Sequence, residues 1–294
     1  MEINGKTKLT GIIGYPLTYT VSPHLHNAAF DSLDLNMRYV PMVVDPESLS
    51  SAVCGLKALG FVGVNVTMPH KEAIVEFLDN LDREAKIIGA VNTVVFRDGT
   101  ATGYNTDGRG FIAALSEAGL SPSGSKAVVI GAGGAARAVV AALAELGCQV
   151  SVINRTVERA QILVEELKKH FPNSALKVLE FDAKIADKIE EAELLVNSTP
   201  IGMASSDSES LESEMPIPAE SIRPGQFVFD LVYAPLETRL LREAALRGAK
   251  PIGGLKMLVH QAATSFEIWT GLRPPLGVME NAALKALSGS KGVR

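Results

Sequence analysis

The chain has 294 residues, with 28 basic and 33 acidic side chains and a net charge of −5, which argues against a nucleic-acid or membrane-surface partner. Apolar residues make up 47% and charged residues 21%, enough for large packed cores and two domains of ordinary size, and too apolar for disorder. The two cysteines, Cys54 and Cys148, form no disulfide framework or C-x-x-C, as suits a reducing cytosol; no signal-peptide pattern opens the chain and no apolar run is long enough to cross a bilayer.

Residues 9–14, LTGIIG, read as a short apolar strand ending in glycine. A loop dense in hydroxyls follows. Ser22-Pro23 then makes a helix start, with serine as N-cap and proline at the first helical position, for a helix over 23–33 that carries His24 and His26. Thr20 has no such duty. Two hydroxyls two residues apart, just past a strand, can jointly bind a small carboxylate. Strands over 38–43 and 63–67 alternate with a helix over 46–59 and another opened by Pro69 and running to about residue 78, so the region reads as a parallel α/β unit. Lys71 falls in the first turn of that last helix, where the dipole disfavours a cation. A lysine so placed suits proton transfer; the plain alternative is an exposed surface lysine.

Residues 87–95 end a helix and enter a strand, with Asn92 at the junction. A polar turn over 103–108 precedes a helix over 109–118, for which Asp107 or Thr106 could serve as N-cap. Each of these residues has an ordinary structural explanation taken singly. Thr20, Ser22, Thr67, Lys71, Asn92 and Asp107, however, all lie at or just past strand ends, the edge at which open parallel sheets bind ligands.

A turn-rich linker over 120–125 leads to KAVVIGAGGAAR, residues 126–137. It reads as a buried strand, a glycine turn and an alanine-rich helix to residue 146. Gly131-x-Gly133-x-x-Ala136 has the spacing of a dinucleotide-binding turn. Gly131 permits the tight turn, Gly133 lets backbone approach a pyrophosphate, and small Ala136 lets helix and strand pack closely. The helix start then offers unpaired N–H groups to the phosphates. The next strand, over 149–153, ends in Asn154, Arg155 and Thr156, with Arg159 one turn further on. An NAD site normally places Asp or Glu at that strand end for the ribose 2′-OH. A guanidinium there can instead pair with a 2′-phosphate, which favours NADP(H). Further strands are expected over 178–181, 194–196, 227–231 and 250–253, and helices over 236–247, 257–269 (carrying Gln261) and 281–287. Residues 204–217 are serine-rich and acidic and read as a surface loop.

These motifs together resemble the shikimate dehydrogenase family over nearly the whole chain: GYP…SP, NVTMPHK, GAVNT, GYNTDG, GAGGAAR, NRT, NSTPIGM and the GG…Q helix, in that order. The resemblance implies an α/β fold with an N-terminal open α/β substrate domain (1–107 plus 256–294) and a C-terminal Rossmann-like NADP-binding domain (108–255), with the active site in the cleft between them. It implies NADPH-dependent reduction of 3-dehydroshikimate to shikimate, in aromatic amino-acid biosynthesis, with Lys71 and Asp107 as the catalytic pair. Thr20 and Ser22 would hold the substrate carboxylate. Thr67, Lys71, Asn92, Asp107 and Gln261 would meet its ring hydroxyls, and Tyr233 would reach in from the second domain. Cofactor contacts would come from Gly131, Ala132, Gly133, Gly134, Ala135, Asn154, Arg155, Thr156 and Arg159, with Leu231 and Gly254 at the nicotinamide end. No metal is required, and the expected setting is a cytoplasmic monomer or homodimer acting on small molecules. Two positions depart from the family pattern: Thr20 stands where serine is usual, and Arg83 where an acidic residue is common. The rival readings are a quinate/shikimate dehydrogenase, a methylene-tetrahydrofolate dehydrogenase, against which NVTMPHK and GYNTDG argue, and a catalytically silent NADP-binding protein.

Overall fold

The computed structural model describes residues 2–17, 20–180, 185–203 and 214–289. The chain divides into two compact units, Met1–Gly110 with Val259–Arg294, and Phe111–Leu258.

The first unit holds a six-stranded sheet: β1 (Lys8–Gly14), β2 (Met37–Val43), β3 (Gly63–Val66), β4 (Asn80–Leu81), β5 (Thr93–Arg97) and β6 (Thr100–Tyr104), in the order β2-β1-β3-β5-β6-β4. The sheet is mixed, which corrects the all-parallel expectation. β1 is parallel to β2 and β3, and β4 to β6, whereas β5 is antiparallel to both β3 and β6. The cause is a two-residue turn, Asp98-Gly99, with φ of 50° and 73°, whose twist suits a hairpin and which only residues tolerant of positive φ can make. Residues 100–104 are therefore a strand, which takes in the first two residues of the polar turn expected over 103–108. Because β5 runs backwards, its start pairs Thr93 with Asn65 near the end of β3 and with Tyr104 at the end of β6. Asn92 and Asp107 thus fall at the same sheet edge as Thr67.

Helices α1 (Ser22–Ser32), α2 (Leu49–Ala58), α3 (His70–Ala73) and α4 (Arg83–Ile88) connect these strands. Two expectations fail here. Val21, not Ser22, is the N-cap of α1, and its own side chain makes no capping bond; Ser22 is already helical. The helix expected to run to residue 78 is one turn, α3, followed by a 3₁₀ turn, Ile74–Phe77, where β-branched Ile74 and Val75 disfavour continued α-helix. A four-residue helix has little macrodipole, so the dipole argument for Lys71 lapses.

The second unit is a doubly wound, fully parallel sheet of β7 (Lys126–Ile130), β8 (Gln149–Ile153), β9 (Ala175–Leu179), β10 (Leu194–Asn197), β11 (Phe227–Asp230) and β12 (Lys250–Gly253), ordered β12-β11-β10-β7-β8-β9. The strand order reverses between β7 and β10, the switch point at which dinucleotides bind in such sheets. Helices α5 (Asp107–Glu117), α6 (Gly134–Glu145), α7 (Val157–His170), α8 (Ile185–Glu190) and α9 (Arg239–Leu246) flank the strands, α5 beginning in the first unit. β9 lies upstream of its expected place, pairing along the whole of β8. The serine-rich stretch lies outside the described residues over 204–213. α9 starts later than expected, because Thr238 caps it by accepting from the Leu241 N–H at 3.3 Å.

α10 (Gly254–Thr270) follows β12 without an intervening turn and joins the first unit from Val259 on; α11 (Leu276–Gly289) completes that unit. α10 docks closely on the first sheet: Trp269 Nε1 donates to the Val94 carbonyl at 3.1 Å, and a Cβ on Gly63 would lie 2.2 Å from that nitrogen. Gly63 is therefore what lets the indole lie over β3. Among the described residues no helix is long and apolar enough to cross a membrane.

Candidate active site

Two of the polar residues expected at the edge of the first sheet, Lys71 and Asp107, are gathered around one buried amide, Asn92. Asn92 is 3% exposed and sits just before β5. Its Oδ1 accepts from the Thr106 backbone N–H at 2.9 Å and from the Thr93 hydroxyl at 2.9 Å. A backbone N–H can only donate, so this bond fixes which end of the amide is oxygen. The amino end must then face the other way. There Nδ2 lies 2.8 Å from Asp107 Oδ1, 2.9 Å from Thr106 Oγ1 and 3.3 Å from Gln261 Oε1. One side chain thereby joins the start of β5, the start of α5 and the helix α10.

Asp107 opens α5, but its carboxylate is not spent on capping. Oδ1 takes the Asn92 amide, and Oδ2 takes Lys71 Nζ at 2.5 Å. The ion pair is largely withdrawn from water, with side-chain exposures of 17% for Lys71 and 6% for Asp107. The surface-lysine alternative is thus excluded. Lys71 is held from its backbone too, since its carbonyl accepts from the Val91 N–H at 2.7 Å. The ammonium keeps two further protons, enough to address a ligand oxygen while paired.

Thr67 follows β3, half-buried, with its N–H on the Ile13 carbonyl at 3.0 Å. The loop after β1 is tied alongside by Tyr15 N–H to the Met68 carbonyl at 3.0 Å. Gly14 is required there, because a Cβ would stand 2.5 Å from the Thr67 methyl. Further along that loop the Thr20 hydroxyl accepts from the Ser22 N–H at 3.3 Å, and Ser22 is buried. Of the substrate-side residues, Tyr233 alone lies in the second unit, half-buried after β11.

Beneath Asn92 is a layer that sequence reading missed. Asn65 Nδ2 donates to the Asn92 carbonyl at 3.0 Å, to the Thr93 hydroxyl at 3.1 Å and to Ser265 Oγ at 3.1 Å. Tyr39 donates its hydroxyl to Asn65 Oδ1 at 2.9 Å. Under Tyr39 lies His26, stacked at 4.4 Å between ring centroids with neither ring nitrogen hydrogen-bonded; burial lowers its pKa to about 3, with nearby Asn65 opposing, so it is neutral. An asparagine in the otherwise apolar strand GVNV, and a serine one turn beyond Gln261, were the signals available.

In the second unit the glycine turn has the features a dinucleotide needs. Gly131 takes φ +113°, and a Cβ on it would lie 2.4 Å from Ser198 Oγ, across the switch point. A Cβ on Gly133 would meet nothing within 4 Å, which leaves an open approach to its backbone. No side chain caps the twelve-residue helix α6, so its first N–H groups remain for an anion. Ala132 is buried, Gly134 and Ala135 are half-buried at the helix start, and Ala136 is fully buried against the sheet. Past β8, Asn154 braces the loop by donating to the Thr156 carbonyl at 2.7 Å, and Arg155, Thr156 and Arg159 are exposed. Arg155 forms no ion pair among the described residues. Leu231 follows β11, and Gly254 must be glycine, because a Cβ would stand 2.2 Å from the Leu231 carbonyl oxygen.

Fold and residues define a two-domain α/β dehydrogenase whose second half is built for a phosphorylated dinucleotide. The chain matches the shikimate dehydrogenase substrate-binding domain over residues 12–94, shikimate/quinate 5-dehydrogenase over 114–232 and the shikimate 5′-dehydrogenase C-terminal domain over 254–284. It is 45% identical over 293 residues to the NADP⁺-dependent shikimate dehydrogenase of Moorella thermoacetica, covering 99% of this chain and 98% of that one. Among solved structures, a shikimate dehydrogenase in complex with NADP⁺ is similar with a TM-score of 0.89 and 42% identity, over 97% of this chain and 98% of that one. The Thermus thermophilus enzyme in complex with NADP(H) and shikimate is similar with a TM-score of 0.85 and 41% identity, over 95% and 100%. The chain belongs to the shikimate dehydrogenase family.

Proposed function

We propose that this protein catalyses the reversible NADPH-dependent reduction of 3-dehydroshikimate to shikimate, a step in aromatic amino-acid biosynthesis. The observation that carries the reading is the Lys71–Asp107–Asn92 cluster: a shielded ammonium 2.5 Å from a carboxylate whose orientation a buried amide fixes. Bound NADPH supplies the hydride to the substrate carbonyl carbon. Lys71 Nζ donates a proton to the carbonyl oxygen as negative charge develops there, and takes it back in the oxidation direction. Asp107 holds the ammonium in place, balances its charge and accepts from a neighbouring ring hydroxyl. Asn92, Gln261 and Thr67 align the ring, while the Thr20 and Ser22 hydroxyls take the substrate carboxylate. Tyr233 is assigned a further substrate contact.

Gly131, Ala132, Gly133, Gly134 and Ala135, at the start of α6, would hold the NADPH phosphates. Asn154, Arg155, Thr156 and Arg159 take the adenosine 2′-phosphate, and Leu231 and Gly254 line the nicotinamide end. The first unit is the substrate domain and the second the cofactor domain. The charge balance and the unpaired cysteines support a cytoplasmic enzyme, acting as monomer or homodimer. The test is a four-way rate comparison of shikimate and quinate, each with NADP⁺ and NAD⁺. Shikimate with NADP⁺ is the expected best pair; quinate or NAD⁺ in first place would overturn the assignment.

A further inference from the structure

Asp230, at the end of β11, is a fully buried carboxylate that the reaction above does not use. Among the described residues no cation pairs with it. Its oxygens instead accept from three donors on two connections, those after β10 and after β11. Oδ1 takes the Asn197 amide, at the end of β10, at 3.0 Å, and the Val232 backbone N–H, after β11, at 3.1 Å. Oδ2 takes the Thr238 hydroxyl, the cap of α9, at 2.6 Å. Asn197 extends the brace, because its Oδ1 accepts from the Thr199 N–H and hydroxyl and its Nδ2 donates to the Ile201 carbonyl.

A buried, unpaired carboxylate is a poor structural filler, since burial disfavours its charged form and pushes Asp230 up to about 6. Its location makes sense of it. The segment it pins begins with Leu231, whose own N–H is held by the Asn197 carbonyl at 2.9 Å. From the opposite side Gly254 closes on the Leu231 and Val232 carbonyls so tightly that no Cβ fits. Backbone 231–232 is thereby fixed on both flanks.

We infer that Asp230 is a positioning residue for the nicotinamide half of the cofactor: by tying the connections after β10 and β11 to the cap of α9, it sets where Leu231 and Gly254 meet the ring. This rests on the NADP(H) reading above and adds to it a residue that touches no ligand.

The test uses two probes on the full chain. NADP⁺ spans both ends of the site; adenosine 2′,5′-bisphosphate carries the 2′-phosphate and lacks the nicotinamide. In Asp230→Asn and in Thr238→Val, which removes the shortest donor to Asp230 should the first variant fold poorly, the NADP⁺ Kd is expected to rise about tenfold or more and kcat to fall, while the bisphosphate Kd stays within about twofold. Thr238→Ser, which keeps the hydroxyl, should restore NADP⁺ affinity. A purely structural role would lower Tm, or weaken both probes together, and either result without the split would overturn the inference. Normal NADP⁺ binding and turnover in both variants would overturn it alone. Wild-type protein that binds neither probe would overturn the cofactor reading as well.

Discussion

Asp107→Asn isolates the charge at the centre of the proposed site. The substitution keeps shape and burial, but an amide offers only one acceptor where the carboxylate offers two. Asn92 Nδ2 and Lys71 Nζ are both donors, 2.8 Å and 2.5 Å from the two carboxylate oxygens. One of them must then face an NH₂ group. If Asn92 keeps the oxygen, the ammonium loses a charge-assisted bond worth roughly 1.5–3 kcal/mol and is left half-buried without a counter-charge. That alone is ~10- to 150-fold, and misplacing the proton donor adds to it, so kcat should fall ~10²- to 10⁴-fold. NADPH oxidation followed by absorbance at saturating 3-dehydroshikimate gives kcat, and fluorescence titration gives the NADPH Kd. The Kd should stay within about twofold, because the glycine turn and Arg155 belong to the other unit. A variant turning over within about threefold of wild type, or one whose NADPH affinity drops in parallel with rate, would refute the reasoning.

Arg155→Ala should raise the NADP⁺ Kd ~10- to 100-fold by removing a charge-assisted contact and leave NAD⁺ binding nearly unchanged, measured by titration with each nucleotide. His26 is neutral in the fold at about 3 against 6.5 unfolded, so its contribution to stability is complete above pH 6.5 and is lost as pH falls toward 3. Between pH 7 and 5 that is about 2 kcal/mol, and His26→Phe, which keeps the stack on Tyr39, should remove this part of the acid sensitivity in urea denaturation. Asp230 has the opposite sign: its folded value is raised from 3.8 to about 6, so stability is lost as pH rises through that window. Acidification from pH 8 to 5 should stabilise wild type by about 1 kcal/mol more than Asp230→Asn in the same denaturation series.

Local chemistry made much of this molecule legible in its sequence. The apolar runs at 127–130 and 149–153, the glycine spacing and Arg155 suffice to expect a doubly wound nucleotide fold, because each element there follows from a nearest-neighbour rule. The first unit was harder. Asp98-Gly99 was a hairpin signal that passed unread, and with it went the direction of β5. Residues 70–77 carry helical spacing, yet two β-branched residues tighten the turn. Ser22 looked like a cap because proline follows it, but the helix begins one residue earlier. The six edge residues were found one by one; what links them was not, since the Asn65–Ser265 contact spans 200 residues of chain and no local pattern encodes it. Asp230 escaped notice for the same reason: its donors lie 33 residues before it and 2 and 8 after it, on connections that only the folded sheet brings together.

The account stands most directly on Lys71 as the proton donor. Stopped-flow NADPH consumption with 3-dehydroshikimate, for wild type and Lys71→Met, measures that role. The expected result is rapid consumption by wild type, a chemical step slowed ~10²- to 10⁴-fold in the variant, and NADPH affinity preserved in both. An unslowed Lys71→Met, or a wild type that leaves NADPH untouched, would contradict it.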